Sequence, residues 1–329
     1  MYTLGIETSC DETSCAILKD YRVLANITLS SLREHKKYGG VIPEIATRAH
    51  LKNIDKIVST AEKKSGVSLK KINLITATYR PGLIGALVVG LNFAKALSLA
   101  LRKPFLGVDH LHAHLFAPFL NNKNTVTFPF LGVVISGGHT DLYLVEDFSK
   151  PRLIGRTKDD ACGEVYDKIA VHYGLGYPGG PVIDRLYQHA CREDFNFKCG
   201  KSGFDLSFSG IKTALIYKKR DLEKENAFNH KAKIGLISSF QHTVAQAITK
   251  TIIEAADKYK ISKVVIGGGV AANTYLRKML KKKEDEGLSF LISPKEYSGD
   301  NAAAVAGLGF YLYNTLGVRS RLNLEAGGS

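Results

Sequence analysis

The first residues alternate as short strands do. Tyr2-Thr3-Leu4-Gly5-Ile6-Glu7-Thr8-Ser9 reads as a strand, Cys10-Asp11-Glu12-Thr13 as a polar turn, and Ser14-Cys15-Ala16-Ile17-Leu18 as the returning strand. The pattern recurs from Leu131. Leu131-Gly132-Val133-Val134-Ile135 is a strand, Ser136-Gly137-Gly138-His139-Thr140 a turn, and Asp141-Leu142-Tyr143-Leu144-Val145 the return. Two such hairpins, each opening a half of the chain, predict two homologous α/β halves. Small and polar residues at their tips let backbone N–H groups approach phosphate oxygens closely.

Between the hairpins strand and helix alternate. Ile72 to Thr78 is a strand, Tyr79-Arg80-Pro81-Gly82 a turn with Pro81 at a helix N1 position, Leu83 to Leu101 a helix, and Pro104 to Val108 a strand. That βαβ rhythm predicts a mainly parallel, covered sheet. From Thr157 to Lys260 the pattern turns helical, an insertion in the second half. A strand at Lys263-Val264-Val265-Ile266 then enters Gly267-Gly268-Gly269-Val270-Ala271-Ala272-Asn273. A helix from Thr274 to Lys283 follows, and Asn301 to Asn314 forms a small-residue C-terminal helix. The expected lobes are residues 1–107 with 301–329, and 108–300 with the insertion at about 157–260.

A chain of 329 residues, 45% hydrophobic and 23% charged, is globular and long enough for two cores. Its 45 Lys and Arg against 31 Asp and Glu leave +14, which suits a polyanionic partner or simply a soluble surface. The N-terminus has no cationic and apolar leader pattern. Gly82 to Leu101 is about as long as a membrane span, but Asn92, Lys95 and Ser98 favour a buried helix. Five cysteines with no Cys-x-x-Cys pair argue against a disulfide framework or zinc knuckle and suit a reducing cytoplasm.

Three groups of residues could carry chemistry. In Asp109-His110-Leu111-His112-Ala113-His114, His110 and His114 share one helix face, a natural spacing for two metal ligands. Leu111 stands where a zinc protease has its glutamate, which counts against peptide hydrolysis. Gly267-Gly268-Gly269 ends a strand before a helix, where backbone N–H groups can hold an anion or the glycines can serve only a tight turn. Asp300 can cap the C-terminal helix or complete a His–His–Asp set. Asp11 and Glu12 lie at the first hairpin tip, and Asp167 and Asp184 beside glycine-rich turns. The lysine runs lack the interleaved aromatics of a base-stacking surface, so any nucleic acid contact is to phosphate and shape.

Gly5-Ile6-Glu7-Thr8-Ser9-Cys10-Asp11-Glu12-Thr13, Gly39-Gly40-Val41-Ile42-Pro43-Glu44, Pro81-Gly82-Leu83-Ile84-Gly85-Ala86-Leu87 and the HLHAH segment together resemble the bacterial TsaD family of tRNA threonylcarbamoyladenosine transferases. So do Ile135-Ser136-Gly137-Gly138-His139-Thr140, Tyr177-Pro178-Gly179-Gly180-Pro181, Ser207-Phe208-Ser209-Gly210-Ile211-Lys212-Thr213, Gly268-Gly269-Val270-Ala271-Ala272-Asn273 and Asp300-Asn301. The matches run in order along nearly the whole chain. Two positions depart: His112 where the family commonly has Glu, and Arg80 where Gly is usual. His112 could add a ligand or proton carrier, and Arg80 could stiffen or charge its loop.

The resemblance implies an actin-like ATPase (ASKHA) fold, with two duplicated RNase H-like halves around a central cleft. It implies transfer of a threonylcarbamoyl group from threonylcarbamoyl-AMP to N6 of adenosine 37 in tRNAs reading codons that begin with A. It further implies one divalent metal, Fe2+ or Zn2+, on His110, His114 and Asp300. The substrate positions it implies are Val134, Ile135, Ser136, Gly137, Gly138, His139, Asp167, Gly180, Asp184, Gly268, Gly269 and Asn273. Asp11 or Glu12 would relay the amine proton. The implied partners are tRNA, an inactive TsaB-type paralogue and a small TsaE-type ATPase, in the cytoplasm and with no membrane. The rival readings are an actin-like small-molecule kinase, a metalloprotease and a non-catalytic scaffold.

Overall fold

Alternation along the first strands decides what each face of the first sheet meets. In the computed structural model, which describes residues 1–121, 126–320 and 322–328, β1 (Tyr2–Glu7), β2 (Glu12–Lys19) and β3 (Arg22–Ser30) form an antiparallel meander. A helical turn, α1 (Leu32–His35), leads to α2 (Pro43–Ser65), which starts on Pro43 and stops at the left-handed Gly66. Then come β4 (Leu74–Arg80), α3 (Ile84–Leu101), β5 (Phe105–Asp109) and α4 (His110–Phe116). The sheet order is β3-β2-β1-β4-β5, with β4 and β5 parallel to β1. Leu4, Ile6, Cys15, Ile17, Ile75 and Ala77 form one core with Ile54, Ile57 and Val58 of α2 and Leu91 and Ala94 of α3.

α3 is long and apolar enough to cross a membrane by length and composition. Here it buries one face, Ala86, Leu87, Gly90, Leu91, Ala94 and Ser98, while Ile84, Val88 and Leu99 are exposed. The expectation of a buried helix therefore holds for one face only. The helix also starts at Ile84 and not at Pro81, because the Leu83 N–H is donated to the Ser9 carbonyl at 2.8 Å.

The second sheet repeats the first. β6 (Phe130–Ile135), β7 (Thr140–Val145) and β8 (Arg152–Arg156) form the meander. α5 (Cys162–His172), α6 (Gly179–Leu186), the small hairpin β9 (Gly200–Ser202) and β10 (Asp205–Ser207), α7 (Ser209–Lys224) and α8 (His230–Tyr259) make up the insertion. β11 (Lys263–Gly267), α9 (Thr274–Lys281) and β12 (Ser289–Ile292) complete the order β12-β11-β6-β7-β8. β11 runs parallel to both β6 and β12. The duplication extends to single atoms. A Cβ on Gly82 would lie 2.6 Å from the Ser9 carbonyl, and one on Gly268 would lie 2.4 Å from the Ile135 carbonyl. Both glycines let the chain leaving a parallel strand back onto the end of the hairpin.

α10 (Ala302–Asn314) returns to the first sheet and packs on β1, β2, β4 and β5. It meets the face carrying Gly5 and Thr76, and its Ala306 and Gly309 allow the close approach. The compact units are residues 1–127 with 147–150 and 293–329, and residues 128–146 with 151–292. They do not divide at 108 and 301, because β5 pairs with β4 and α4 packs on α10. His110, His114 and Asp300 accordingly all belong to the first unit.

Candidate metal centre and glycine loops

α4 is seven residues long, well short of the roughly 12–15 an isolated helix needs. Asp109 caps it, its Oδ1 accepting from the N–H groups of Leu111 (3.0 Å) and His112 (3.3 Å). Leu111, Leu115 and Phe116 bury the other side. This fixes His110 and His114 one turn apart, both buried, with ring centroids 4.6 Å apart. Asp300 sits in the loop before α10. The cap of that helix is Asn301, whose Oδ1 accepts from Ala304 N at 3.0 Å, so Asp300 does not cap it. Asn301 Nδ2 also donates to the Tyr297 and Gly299 carbonyls, bracing the loop.

Asp300 Oδ1 lies 3.2 Å from His114 Nε2 and 3.6 Å from His110 Nε2. One ligand atom from each of the three residues falls within 4.8 Å of the others. Two imidazole nitrogens and one carboxylate suit Zn2+ or Fe2+, and three protein ligands leave positions for water or substrate. The cluster is compatible with a metal site.

Electrostatics agree with that use. Burial alone would depress His110, but the Asp300 and Glu7 carboxylates outweigh it and lift the imidazole to about 9. Glu7, fully buried on β1, is pushed up by burial and pulled further down by His110, ending below the ordinary carboxylate range. Glu12 is raised well above that range by burial, then by Asp300 and Asp11. A divalent ion would displace the proton that this cluster otherwise holds.

Asp11 is buried and Glu12 half-buried, where β2 begins. Two histidines hold their turn. His50 Nε2 lies 3.0 Å from the Cys10 carbonyl and its Nδ1 2.8 Å from Thr13 Oγ1. The carbonyl only accepts, so Nε2 carries a hydrogen, and burial lowers the ring's affinity for a second proton. His35 Nδ1 accepts from Ile42 N, and its Nε2 lies 3.0 Å from Ser31 Oγ, which donates to the Asp11 carbonyl. Glu7, His35 and His50 were not among the expected site residues. A charged residue in an otherwise apolar strand was the available signal for Glu7.

His112 is outside the three-residue donor set. It faces Asp109 and Arg80, and burial depresses it while Asp109 works the other way. Arg80 Nε lies 3.3 Å from Asp109 Oδ2. Arg80 and His112 thus both meet Asp109, the cap of α4.

In the second unit the hairpin tip is tight. Ser136 N donates to the His139 carbonyl at 2.8 Å, and His139 N donates to Ser136 Oγ at 3.1 Å. Val134 and Ile135 are fully buried in β6, so their part is to place Ser136. Gly137 and Gly138 are exposed, with nothing within 4 Å of where a Cβ would sit. Gly180 and Gly269 are equally unobstructed, whereas Gly268 (φ +95°) is required by the backbone behind it. The expected polar residues shape these loops. Asp167 Oδ1 accepts from Gly179 N at 2.6 Å. Asp184 accepts from Thr274 N and Oγ1, both at 2.8 Å, and from Tyr275 N. Asn273 caps α9 through Leu276 N and donates to Gln241 Oε1 at 3.0 Å. Gln241, fully buried inside α8, was missed; a polar residue inside an apolar helical run was its only signal.

Twin mixed sheets with helices and a His–His–Asp set with both histidines buried define an actin-like α/β protein with a metal-compatible centre. Solved structures of that architecture align along the chain. Full-length HypF in its phosphate- and nucleotide-bound form matches with TM-score 0.61 at 14% identity, over 96% of this chain and 46% of that one. The activator of 2-hydroxyisocaproyl-CoA dehydratase from Clostridium difficile matches with TM-score 0.51 at 14% identity, over 98% and 99%. The family model for tRNA N6-adenosine threonylcarbamoyltransferase (TsaD) matches residues 22–307. Proteins of that name from Thermosipho africanus and Protochlamydia amoebophila are 44% and 43% identical, each over 99% of this chain and over 98% and 96% of their own. The chain belongs to the tRNA N6-adenosine threonylcarbamoyltransferase family, a family of transferases.

Proposed function

We infer that the chain transfers a threonylcarbamoyl group from threonylcarbamoyl-AMP to N6 of adenosine 37 in tRNAs reading codons that begin with A. The observation that carries this reading is the set of two buried histidines, His110 and His114, with the partly buried Asp300, in a chain related to its family along its whole length. An exocyclic adenine amine is a weak nucleophile, so the carbamoyl carbon must be made more electrophilic. Fe2+ or Zn2+ held by those three residues would supply Lewis acidity. Asp11 or Glu12 relays the amine proton. Backbone N–H groups of Ser136-Gly137-Gly138 hold donor oxygens, and Gly268, Gly269 and Asn273 seat the departing AMP. Asp167 and Asp184 keep these loops in shape, since their carboxylates already accept from Gly179 and Thr274. The open space at Gly137, Gly138 and Gly180 supports a ligand's close approach.

The +14 balance supports tRNA as the partner. A TsaB-type paralogue and a TsaE-type ATPase would act with the chain, in the cytoplasm. A small-molecule kinase on the same fold would phosphorylate its substrate without any need for tRNA. The test is incubation with threonylcarbamoyl-AMP and unmodified tRNA, with and without the partner proteins, followed by nucleoside mass spectrometry. Modified adenosine is expected, and its absence in both conditions rejects the reading.

A further inference from the structure

Glu7 ends β1 on the same face as Gly5, toward α4 and α10, and is 1% exposed. A carboxylate so buried must have each oxygen partnered. Ser9 N donates to Oε1 at 2.5 Å, and the Thr78 hydroxyl of β4 donates to Oε2. The remaining partner of Oε2 is His110 Nδ1 at 3.2 Å. A carboxylate can only accept, and the Ser9 hydroxyl 3.3 Å from the same nitrogen is able to accept as well, so this contact places a hydrogen on Nδ1 and makes Nε2 the nitrogen available to a metal. Nε2 is the atom that faces Asp300. With the opposite tautomer, two lone pairs would confront each other at the buried Glu7 carboxylate. Glu7 also places one fully buried negative charge behind His110, on the side away from Asp300.

We propose that Glu7 is a positioning residue for the metal centre: its carboxylate locks His110 in the Nδ1–H tautomer and aims Nε2 at the ion. This rests on the reading of His110, His114 and Asp300 as metal ligands. Outer-shell carboxylates of this kind are worth about 10–100-fold in metal affinity. Glu7→Gln keeps the side chain's size and removes the charge.

The test is Zn2+ affinity of the full chain by competition with a chromophoric chelator, with the visible absorption of the Co2+-loaded protein and the imidazole 15N shifts of the Zn2+-loaded protein. His114→Ala is titrated in parallel. Expected are a Zn2+ affinity about 10–100-fold lower in Glu7→Gln, an altered Co2+ spectrum, and an Nδ1–H signal for His110 in the parent that shifts in the variant. If His114→Ala binds Zn2+ like the parent, the metal reading itself fails. If His114→Ala loses binding while Glu7→Gln keeps parental affinity and spectrum, the Glu7 proposal is overturned. Should Glu7→Gln not fold, Thr78→Val removes a donor to the same carboxylate oxygen. A loss of Zn2+ affinity in that variant supports the proposal, and parental affinity overturns it.

Discussion

Asp109→Ala tests how the ligand-bearing helix is held. The Asp109 side chain is 16% exposed and accepts two N–H bonds from the first turn of α4. Loss of such a cap costs about 0.5–2 kcal/mol, and burial places this one in the upper half of that range. The Arg80 pair adds little, because Arg80 is 55% exposed and such pairs contribute about 0–1 kcal/mol. The expected total is therefore about 1–2 kcal/mol. A helix of seven residues has no other local reserve, so the loss should also reach the two histidines as weaker Zn2+ binding. The chain has no tryptophan and 15 tyrosines, so urea unfolding is followed by tyrosine emission and far-UV circular dichroism. Asp109→Asn keeps one acceptor oxygen and should lose less than half as much. Arg80→Ala should stay within about 0.5 kcal/mol of the parent. The cap argument fails if Arg80→Ala costs as much as Asp109→Ala, or if Asp109→Ala leaves both stability and Zn2+ affinity at parental values.

Other expectations concern the same two units. Gly5→Ala would place a Cβ 2.4 Å from the Ala302 carbonyl at the start of α10, two residues from Asp300. Overpacking of about 1–3 kcal/mol and weaker Zn2+ binding should follow together, and a variant that unfolds and binds like the parent contradicts the packing described. Burial holds His50 below its ordinary value, so on acidification the unfolded chain takes up that proton first. The stability His50 contributes is present above about pH 6.5 and is lost as pH falls toward its folded pKa. His50→Gln should accordingly flatten the fall in unfolding midpoint on acidification, and parallel curves would refute this. Gly268→Ala should destabilise the second unit, since its Cβ would lie 2.4 Å from the Ile135 carbonyl. Gly137→Ala should leave stability within about 0.5 kcal/mol but weaken binding of threonylcarbamoyl-AMP, as measured by calorimetry. The reverse pattern would remove the ligand role given to Gly137.

What was legible in the sequence was local. The two hairpins, the βαβ stretch and the His110–His114 spacing each depend on residues close together, and each formed as the pattern predicted. β3, β8 and β12 were not recognised, because edge strands with exposed positions such as Ser289 and Arg152 lack clean alternation. The division between units was misplaced for a different reason. Only the pairing of β5 with β4 and the packing of α10 on α4 assign the histidines to the first unit, and neither is visible locally. Asp300 and Asn301 are neighbours competing for one cap, and the choice was decided by Asn301's bonds to Tyr297 and Gly299. Glu7 and Gln241 became interpretable only with their partners, which lie 103 and 32 residues away.

The duplicated architecture also explains why one chain can present two unlike surfaces. Both sheets have the same strand order, and Gly82 and Gly268 abut the ends of the two hairpins in the same way. The tips then diverge. The first carries Asp11 and Glu12 beside Asp300, and burial, followed by the Asp300 and Asp11 charges, lifts Glu12 well above its ordinary range. Such a cluster attracts a cation and repels phosphate. The second tip has Ser136, Gly137 and Gly138, with no carboxylate among them and open space at both glycines. Exposed backbone there favours an anion. Exchanging the tips should invert these preferences. A chain with Gly137→Asp and Gly138→Glu would retain the turn, since neither position has a neighbour within 4 Å of a Cβ, yet should lose nucleotide binding by like-charge repulsion. Unchanged nucleotide binding in that variant would mean that the second tip is not where phosphate is held.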